Sequence, residues 1–101
     1  MNYPSIVELV KQYYDFRGLT APDANQAFLF LTSEVGELAD AFVEKQAQWV
    51  RNNPQRERNV EDEIGDILMM LTVFAATQGY DPLQALLHKM EKKGFTPAER
   101  S

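Results

Sequence analysis

The sequence contains no cysteine and a single histidine, and these two shortages exclude several classes of site. Without cysteine there are no disulfides, zinc-thiolate sites or thiol nucleophiles, which fits a reducing compartment. A di-iron carboxylate bundle is disfavoured too, because it uses Glu-x-x-His pairs and the residue three positions before His88 is Ala85. Because a chain without cysteine fits a reducing compartment, we expect a cytoplasmic protein.

Long apolar runs and an excess of basic residues are also absent. No stretch approaches the ~20 apolar residues of a membrane span, and the N-terminus lacks the basic start and apolar run of a signal peptide. The net charge is -5, and the ten Lys and Arg residues are spread along the chain. We therefore expect a soluble protein that binds neither a membrane nor a nucleic acid polymer.

The composition that remains is that of an ordinary globular protein. The chain has 101 residues, of which 45% are hydrophobic and 25% charged, so residues 1–101 are predicted to form a single domain. A chain this short leaves much apolar surface near solvent unless it associates, so a second copy is expected. No segment shows the strict alternation of a half-buried strand, and the predicted fold class is all-α.

Apolar residues at helical spacing predict four helices. Pro4 suits the first turn of the first helix, and Asn59 offers a side-chain cap to the third. The predicted helices run from about Pro4 to Gly18, from Asp23 to Trp49, from Asn59 to Gly79 and from Asp81 to Gly94. Six aromatic residues are available as walls of a flat apolar pocket, although most of them are predicted to belong to the core: Tyr13, Tyr14, Phe16, Phe28, Phe42 and Trp49.

Two copies of one acidic motif are the most informative feature of the chain. Helix two contains Glu34-Val-Gly-Glu37-Leu, and helix three contains Glu63-Ile-Gly-Asp66-Ile. Acids at i and i+3 lie about 60° apart around a helix, so each motif directs two carboxylates in nearly one direction. Each helix therefore presents a pair of carboxylates beside its apolar stripe.

An antiparallel pairing of the two helices brings these motifs together. The residue numbers are symmetric about residue 50, so Glu34 lies level with Asp66, and Glu37 with Glu63. Each motif also has a glycine, Gly36 or Gly65, although glycine inside a helix costs about 1 kcal/mol relative to alanine. We interpret the glycines as points of close backbone approach.

Four converging carboxylates repel one another, which raises some of their pKa values unless a cation neutralises them. Mg2+ is the natural cation, since it takes oxygen ligands and commonly bridges carboxylates to phosphates, and Mn2+ can substitute. The competing interpretation is that Glu-x-x-Glu marks a solvated helix face, which is how we interpret the neighbouring Asp40 and Glu44. The predicted metal ligands are Glu34, Glu37, Glu63 and Asp66.

The two motifs resemble the signature of the MazG-like, all-α nucleoside triphosphate pyrophosphatases, in which Glu-Glu-x-x-Glu is followed by Glu-x-x-Asp. The matching segments are Ser33-Glu34-Val-Gly-Glu37 and Glu63-Ile-Gly-Asp66, and the resemblance extends from helix one to helix four. It implies a four-helix core completed by dimerisation or tetramerisation, with Mg2+ held by the four acids. The implied reaction is hydrolysis of (deoxy)nucleoside triphosphates to nucleoside monophosphate and pyrophosphate, in nucleotide-pool cleansing or control.

The chain also departs from this family pattern, whose C-terminal Lys-x-x-x-Asn segment is only partly matched by Lys89, Lys92 and Lys93. Ser33 stands where many relatives have the first glutamate, and Val73 stands where many have Asn or Asp. Two alternatives therefore remain open. One is a non-catalytic helical dimer of the same fold that binds a nucleotide or a protein partner, and the other is a structural four-helix module.

Further roles are predicted from side-chain chemistry. Glu37 is the candidate catalytic base that accepts a proton from water. Lysines near the helix ends are candidates to neutralise the departing pyrophosphate, although such lysines also serve as partners of the helix dipole. The indole of Trp49 is a candidate to border the base of the nucleotide. The predicted substrate-binding residues are Lys45, Trp49, Lys89, Lys92 and Lys93.

Overall fold

The structure, a computed structural model, describes residues 5–47 and 59–98, without the side chains of residues 45–47. The described helices are α1 (Ile6–Arg17), α2 (Ala24–Ala47), α3 (Val60–Thr77) and α4 (Pro82–Lys92). The predicted all-α, four-helix architecture is therefore confirmed. Within the described part of the chain, no helix is long and apolar enough to cross a membrane.

Three of the helices begin at a polar side chain that caps free backbone N–H groups. Ser5 Oγ accepts from the N–H of Glu8 at the start of α1, and Asn59 Oδ1 accepts from the N–H of Glu61 at the start of α3. Asp81 has the same role before α4, where Pro82 occupies the first turn. These caps satisfy donors that the helix itself leaves free, which confirms the predicted starts at Asn59 and Asp81.

The first helix ends where the sequence predicts. Gly18 follows α1 in the left-handed conformation, with a φ of 64°, which glycine adopts without steric cost. Two predicted boundary residues, Pro4 and Trp49, lie outside the described residues.

The α2 and α3 helices form the antiparallel hairpin on which the rest of the fold is built. Near the start of α2, the ring of Phe28 meets Phe74 of α3 edge-on, with centroids 5.6 Å apart. The antiparallel pairing predicted from the two motifs is thereby confirmed. Among the described residues, α1 packs against α3, and α4 packs against α1 and α3 but not against α2.

The predicted close approach at the two motif glycines is wrong. A Cβ atom added to Gly36 or Gly65 would meet no atom within 4 Å. Each glycine follows an inward-facing glutamate by two residues, which places it about 200° around the helix, on the side away from the neighbouring helix. The hairpin therefore does not require either glycine for packing.

The buried core of one copy is small. Among the described residues, the only buried apolar side chains are Ala27, Ala41 and Val73. The prediction of an aromatic core is wrong for a single copy, because Phe16 is 82% exposed, Phe28 51% and Phe42 52%. Tyr13 is exposed as well, and Tyr14 is half-buried.

We predict that Asp81→Ala destabilises the protein. Its Oδ2 accepts from the N–H groups of Leu83 and Gln84 at 3.0 Å, and its Oδ1 lies 3.5 Å from the N–H of Val7 in α1. Loss of the cap is expected to reduce the free energy of unfolding by about 1 kcal/mol in urea titration. Glu91→Ala, an exposed acid of α4, is the control. Equal stability of both variants would contradict the capping role.

Candidate metal centre

Three glutamates from the two hairpin helices converge on one point. Glu34 and Glu37 come from α2, and Glu63 comes from α3. One carboxylate oxygen of each residue lies within 4.8 Å of the other two. The spacing within the α2 motif and the antiparallel pairing with α3 together produce this convergence. We refer to Glu34, Glu37 and Glu63 as the carboxylate cluster.

The carboxylate cluster lies partly inside the protein. Glu63 is 9% exposed, and Glu34 and Glu37 are half-buried. Oε2 of Glu34 is buried and has no hydrogen-bond partner. An ionised carboxylate held in this way has lost water without gaining a donor, which is unfavourable unless a cation is present.

The electrostatics of the cluster are visible in Glu34. Burial is the largest cause that raises the pKa of Glu34, and the negative charge of Glu37 is the next, so that the pKa reaches about 7. The charges of Asp66 and Glu63 add smaller contributions. Two ionised carboxylates can only repel, but once Glu34 is protonated it can share a hydrogen bond with Glu37. The cluster therefore attracts a positive charge, either a proton or a metal ion.

Asp66, the fourth predicted ligand, occupies a different place from the other three. Its side chain is exposed, and it is not part of the group whose oxygens lie within 4.8 Å. It is near enough, however, for its charge to raise the pKa of Glu34. Ligation by Asp66 stays a prediction.

The donor set of the cluster fits a hard divalent cation. All three donors are carboxylate oxygens, which Mg2+ and Mn2+ accept, and no thiolate or imidazole belongs to the group. The described side chains of residues 24–44 and 59–77 include no lysine or arginine, so these two helical segments provide no cation of their own. Glu34, Glu37 and Glu63 can therefore hold a metal ion.

The predicted substrate-binding residues are not tied to the cluster by any described contact, or they lie outside the described part. Lys89, Lys92 and Lys93 are exposed at the C-terminal end of α4, which does not pack against α2. The side chain of Lys45 and all of Trp49 lie outside the described residues. Contact of these five residues with a substrate stays a prediction.

Glu44 is a buried residue whose importance the sequence interpretation missed. We expected a solvated side chain, but Glu44 is only 9% exposed, and its Oε2 is buried without a hydrogen-bond partner. Its spacing could have indicated this burial, because Glu44 follows Glu37 by seven residues, about two helical turns, and so lies on nearly the same side of α2. The expectation that Glu44 is solvated is therefore wrong.

A cavity of about 510 Å3 lies between α1 and α3, at a distance along α3 from the carboxylates. Val10 and Tyr14 form its α1 side, and Thr72 and Val73 form its α3 side. None of the acids of the carboxylate cluster lines it. Its size alone does not make it the site, because the chemically reactive groups are elsewhere.

We predict that the metal-free protein becomes less stable as the pH rises from about 4.5 to about 7. The folded state retains a proton on Glu34 in this range, where an ordinary glutamate has lost it, so raising the pH favours unfolding. Thermal unfolding across this range checks the slope. Glu34→Gln is expected to flatten it, and Mg2+ is expected to oppose it by stabilising the ionised cluster. A slope unchanged in Glu34→Gln would contradict this assignment.

Comparison with known families identifies the chain. The MazG nucleotide pyrophosphohydrolase domain matches residues 24–94, which include α2, α3, α4 and the entire carboxylate cluster. No curated protein and no solved structure matches the chain. Because the match covers well over half of the sequence and agrees with the all-α fold, the chain belongs to the MazG nucleotide pyrophosphohydrolase family.

Proposed function

We propose that this protein hydrolyses (deoxy)nucleoside triphosphates to a nucleoside monophosphate and pyrophosphate, in nucleotide-pool cleansing or control. The observation that supports the proposal most directly is the carboxylate cluster within the matched domain. A site that consists of carboxylates does not attract a triphosphate by itself, since both are negative. Mg2+, with Mn2+ as a substitute, is the proposed cofactor, since it would supply the positive charge that both groups lack.

The residues of the chain divide the work of this reaction. Glu34, Glu37 and Glu63 would hold the metal from the two sides of the hairpin, and Asp66 is the fourth proposed ligand. When bound, Mg2+ supplies positive charge to the phosphate oxygens and makes an attacking water more acidic. Glu37 accepts the proton of that water, and the bond between the α- and β-phosphates breaks as one water is consumed. The candidates to neutralise the departing pyrophosphate are the predicted substrate-binding lysines, Lys45, Lys89, Lys92 and Lys93.

We predict that Glu37→Gln lowers pyrophosphate release at least 100-fold at saturating Mg2+, because the amide can neither accept the proton nor bind the metal as an anion. Release is measured over a panel of ribo- and deoxyribonucleoside triphosphates. Glu61→Gln is the matched control, since Glu61 is exposed in the first turn of α3 and lies outside the cluster.

The panel also tests the alternatives. A non-catalytic nucleotide-binding dimer predicts that Mg2+ with a nucleotide raises the unfolding temperature of the wild type although no pyrophosphate is released. A structural module predicts neither effect. Absence of release from every nucleotide in the panel would contradict the proposed enzyme.

We also propose that the protein is a homodimer, or a homotetramer formed from such dimers, in which the hairpins pack together. Six large apolar side chains of the hairpin are exposed by between 38% and 54%. Their spacing of three, four or seven residues along each helix is that of a bundle seam. These seam residues are Phe28, Val35 and Phe42 on α2 and Ile64, Leu68 and Leu71 on α3.

The two halves of this seam lie on the same side of the hairpin. Val35 follows Glu34 in the α2 motif, and Ile64 follows Glu63 at the equivalent position of the α3 motif. Two equivalent antiparallel helices are related by an approximate two-fold rotation, whose axis is perpendicular to the plane that contains both helices. Equivalent positions therefore face the same side. The six side chains expose on the order of 500 Å2, a large part of the ~800 Å2 per partner in a standard interface. A second copy of the hairpin presents the same uncharged face and completes a four-helix core.

We predict that Val35→Lys with Leu68→Lys converts the oligomer to a monomer, because each lysine places a charge in the apolar seam. Light scattering after size-exclusion chromatography measures the mass. Leu29→Lys is the control, because Leu29 is 66% exposed on α2 but lies about 100° around the helix from Phe28. A monomeric wild type, or dissociation by Leu29→Lys alone, would contradict the assigned face.

A further inference from the structure

A buried carboxylate oxygen without a hydrogen-bond partner lies outside the carboxylate cluster. Glu44 is 9% exposed, and its Oε2 is buried and accepts no hydrogen bond. In the described part of the chain, it is the only such side-chain atom beyond the cluster. Thr72 is the remaining buried polar residue outside the cluster in that part, and it is satisfied, because its Oγ1 donates to the carbonyl of Leu68 at 2.6 Å. A buried acceptor that the fold does not satisfy requires another explanation.

The register of α2 relates Glu44 to the proposed active site. Glu44 follows Glu37 by seven residues, so it projects from nearly the same side of α2, about 10 Å further along the helix. This distance is too great for Glu44 to share a metal ion with Glu34 and Glu37, and it is not in their group. It is instead comparable with the distance from the α-phosphate of a nucleotide to the far, hydrogen-bonding edge of its base.

The chemistry of a carboxylate restricts what Glu44 can bind. An ionised carboxylate accepts hydrogen bonds and donates none, and its two parallel oxygens match a pair of adjacent N–H donors. A guanine base presents such a pair, its ring N–H beside its exocyclic amino group. Adenine and cytosine place an acceptor nitrogen beside the amino group, and uracil places carbonyls on both sides of its single N–H. These acceptors would face the carboxylate unfavourably.

We propose that Glu44 determines the base specificity of this protein by accepting two hydrogen bonds from a guanine-type base. The proposal rests on the proposed nucleotide hydrolysis, since it assigns the other end of the same substrate. Glu44 is a specificity residue and takes no part in bond breaking. When the triphosphate of a guanine nucleotide lies at the carboxylate cluster, the N–H groups of its base reach Glu44. They donate the hydrogen bonds that no group in the described part of the protein donates to Glu44 Oε2.

The test compares GTP with ITP, whose hypoxanthine base differs from guanine only by the missing amino group. For the full-length wild type with Mg2+, we expect kcat/KM for GTP to exceed that for ITP on the order of 10- to 100-fold. In Glu44→Gln the ratio is expected to fall close to one, through a higher KM for GTP with little change in kcat. Glu61→Gln is the matched control and is expected to retain the wild-type ratio.

Binding measurements keep this test separate from the test of catalysis. Calorimetry with α,β-methylene analogues of GTP and ITP measures base preference even when no pyrophosphate is released. Absence of release combined with a guanine preference that Glu44→Gln removes would contradict the enzyme and support the role of Glu44. Release without guanine preference, or a preference retained in Glu44→Gln, would overturn the role of Glu44 and leave the enzyme standing.

A stability measurement distinguishes base recognition from a structural role. A carboxylate that is buried only for function weakens the free protein, so Glu44→Leu is expected to raise the unfolding temperature while removing the preference for guanine. A structural role predicts the opposite, a lower unfolding temperature in both Glu44→Gln and Glu44→Leu. That result would overturn the proposal.

Discussion

Repulsion between carboxylates is the constraint on which the rest of this structure depends. The hairpin holds Glu34, Glu37 and Glu63 with oxygens within 4.8 Å of one another, and no lysine or arginine is present among the described side chains of its two helices. The raised pKa of Glu34 is the direct result of burial and of this crowding. Apolar packing elsewhere, as between Phe28 and Phe74, has to hold the helices together against it.

The hairpin separates this charge from its apolar surface. The helical periodicity that turns Glu34 and Glu63 toward each other also turns Val35 and Ile64 toward one outer side. One copy alone leaves that side exposed, and its buried apolar core is limited to a few small side chains. A cation would reduce the repulsion between the carboxylates, and a second hairpin would cover the exposed apolar seam. Both would bind only the folded state and would therefore stabilise it.

The buried acids of this protein therefore indicate where ligands would bind. Glu63 belongs to the cluster, whereas Glu44 is buried two turns of α2 beyond Glu37 with an unsatisfied oxygen. A fold that was selected for stability alone would place an apolar residue at such a position. Among its described residues, the free protein accordingly lacks two things, a positive charge at the carboxylate cluster and a hydrogen-bond donor at Glu44. The proposed metal-bound nucleotide with an amino-bearing base would supply both.

The helices, the cap at Asn59, the helix start at Asp81 and the pairing of the acidic motifs were predictable from the sequence, because they depend on local spacing and backbone hydrogen bonding. The sequence did not determine burial. The packing of the helices was needed to show that Glu44 is enclosed, that Gly36 faces open space and that Asp66 stands outside the three converging oxygens. Spacing fixes the direction of a side chain around its own helix. What that side chain meets depends on where the other helices lie, and a single helix does not contain that information.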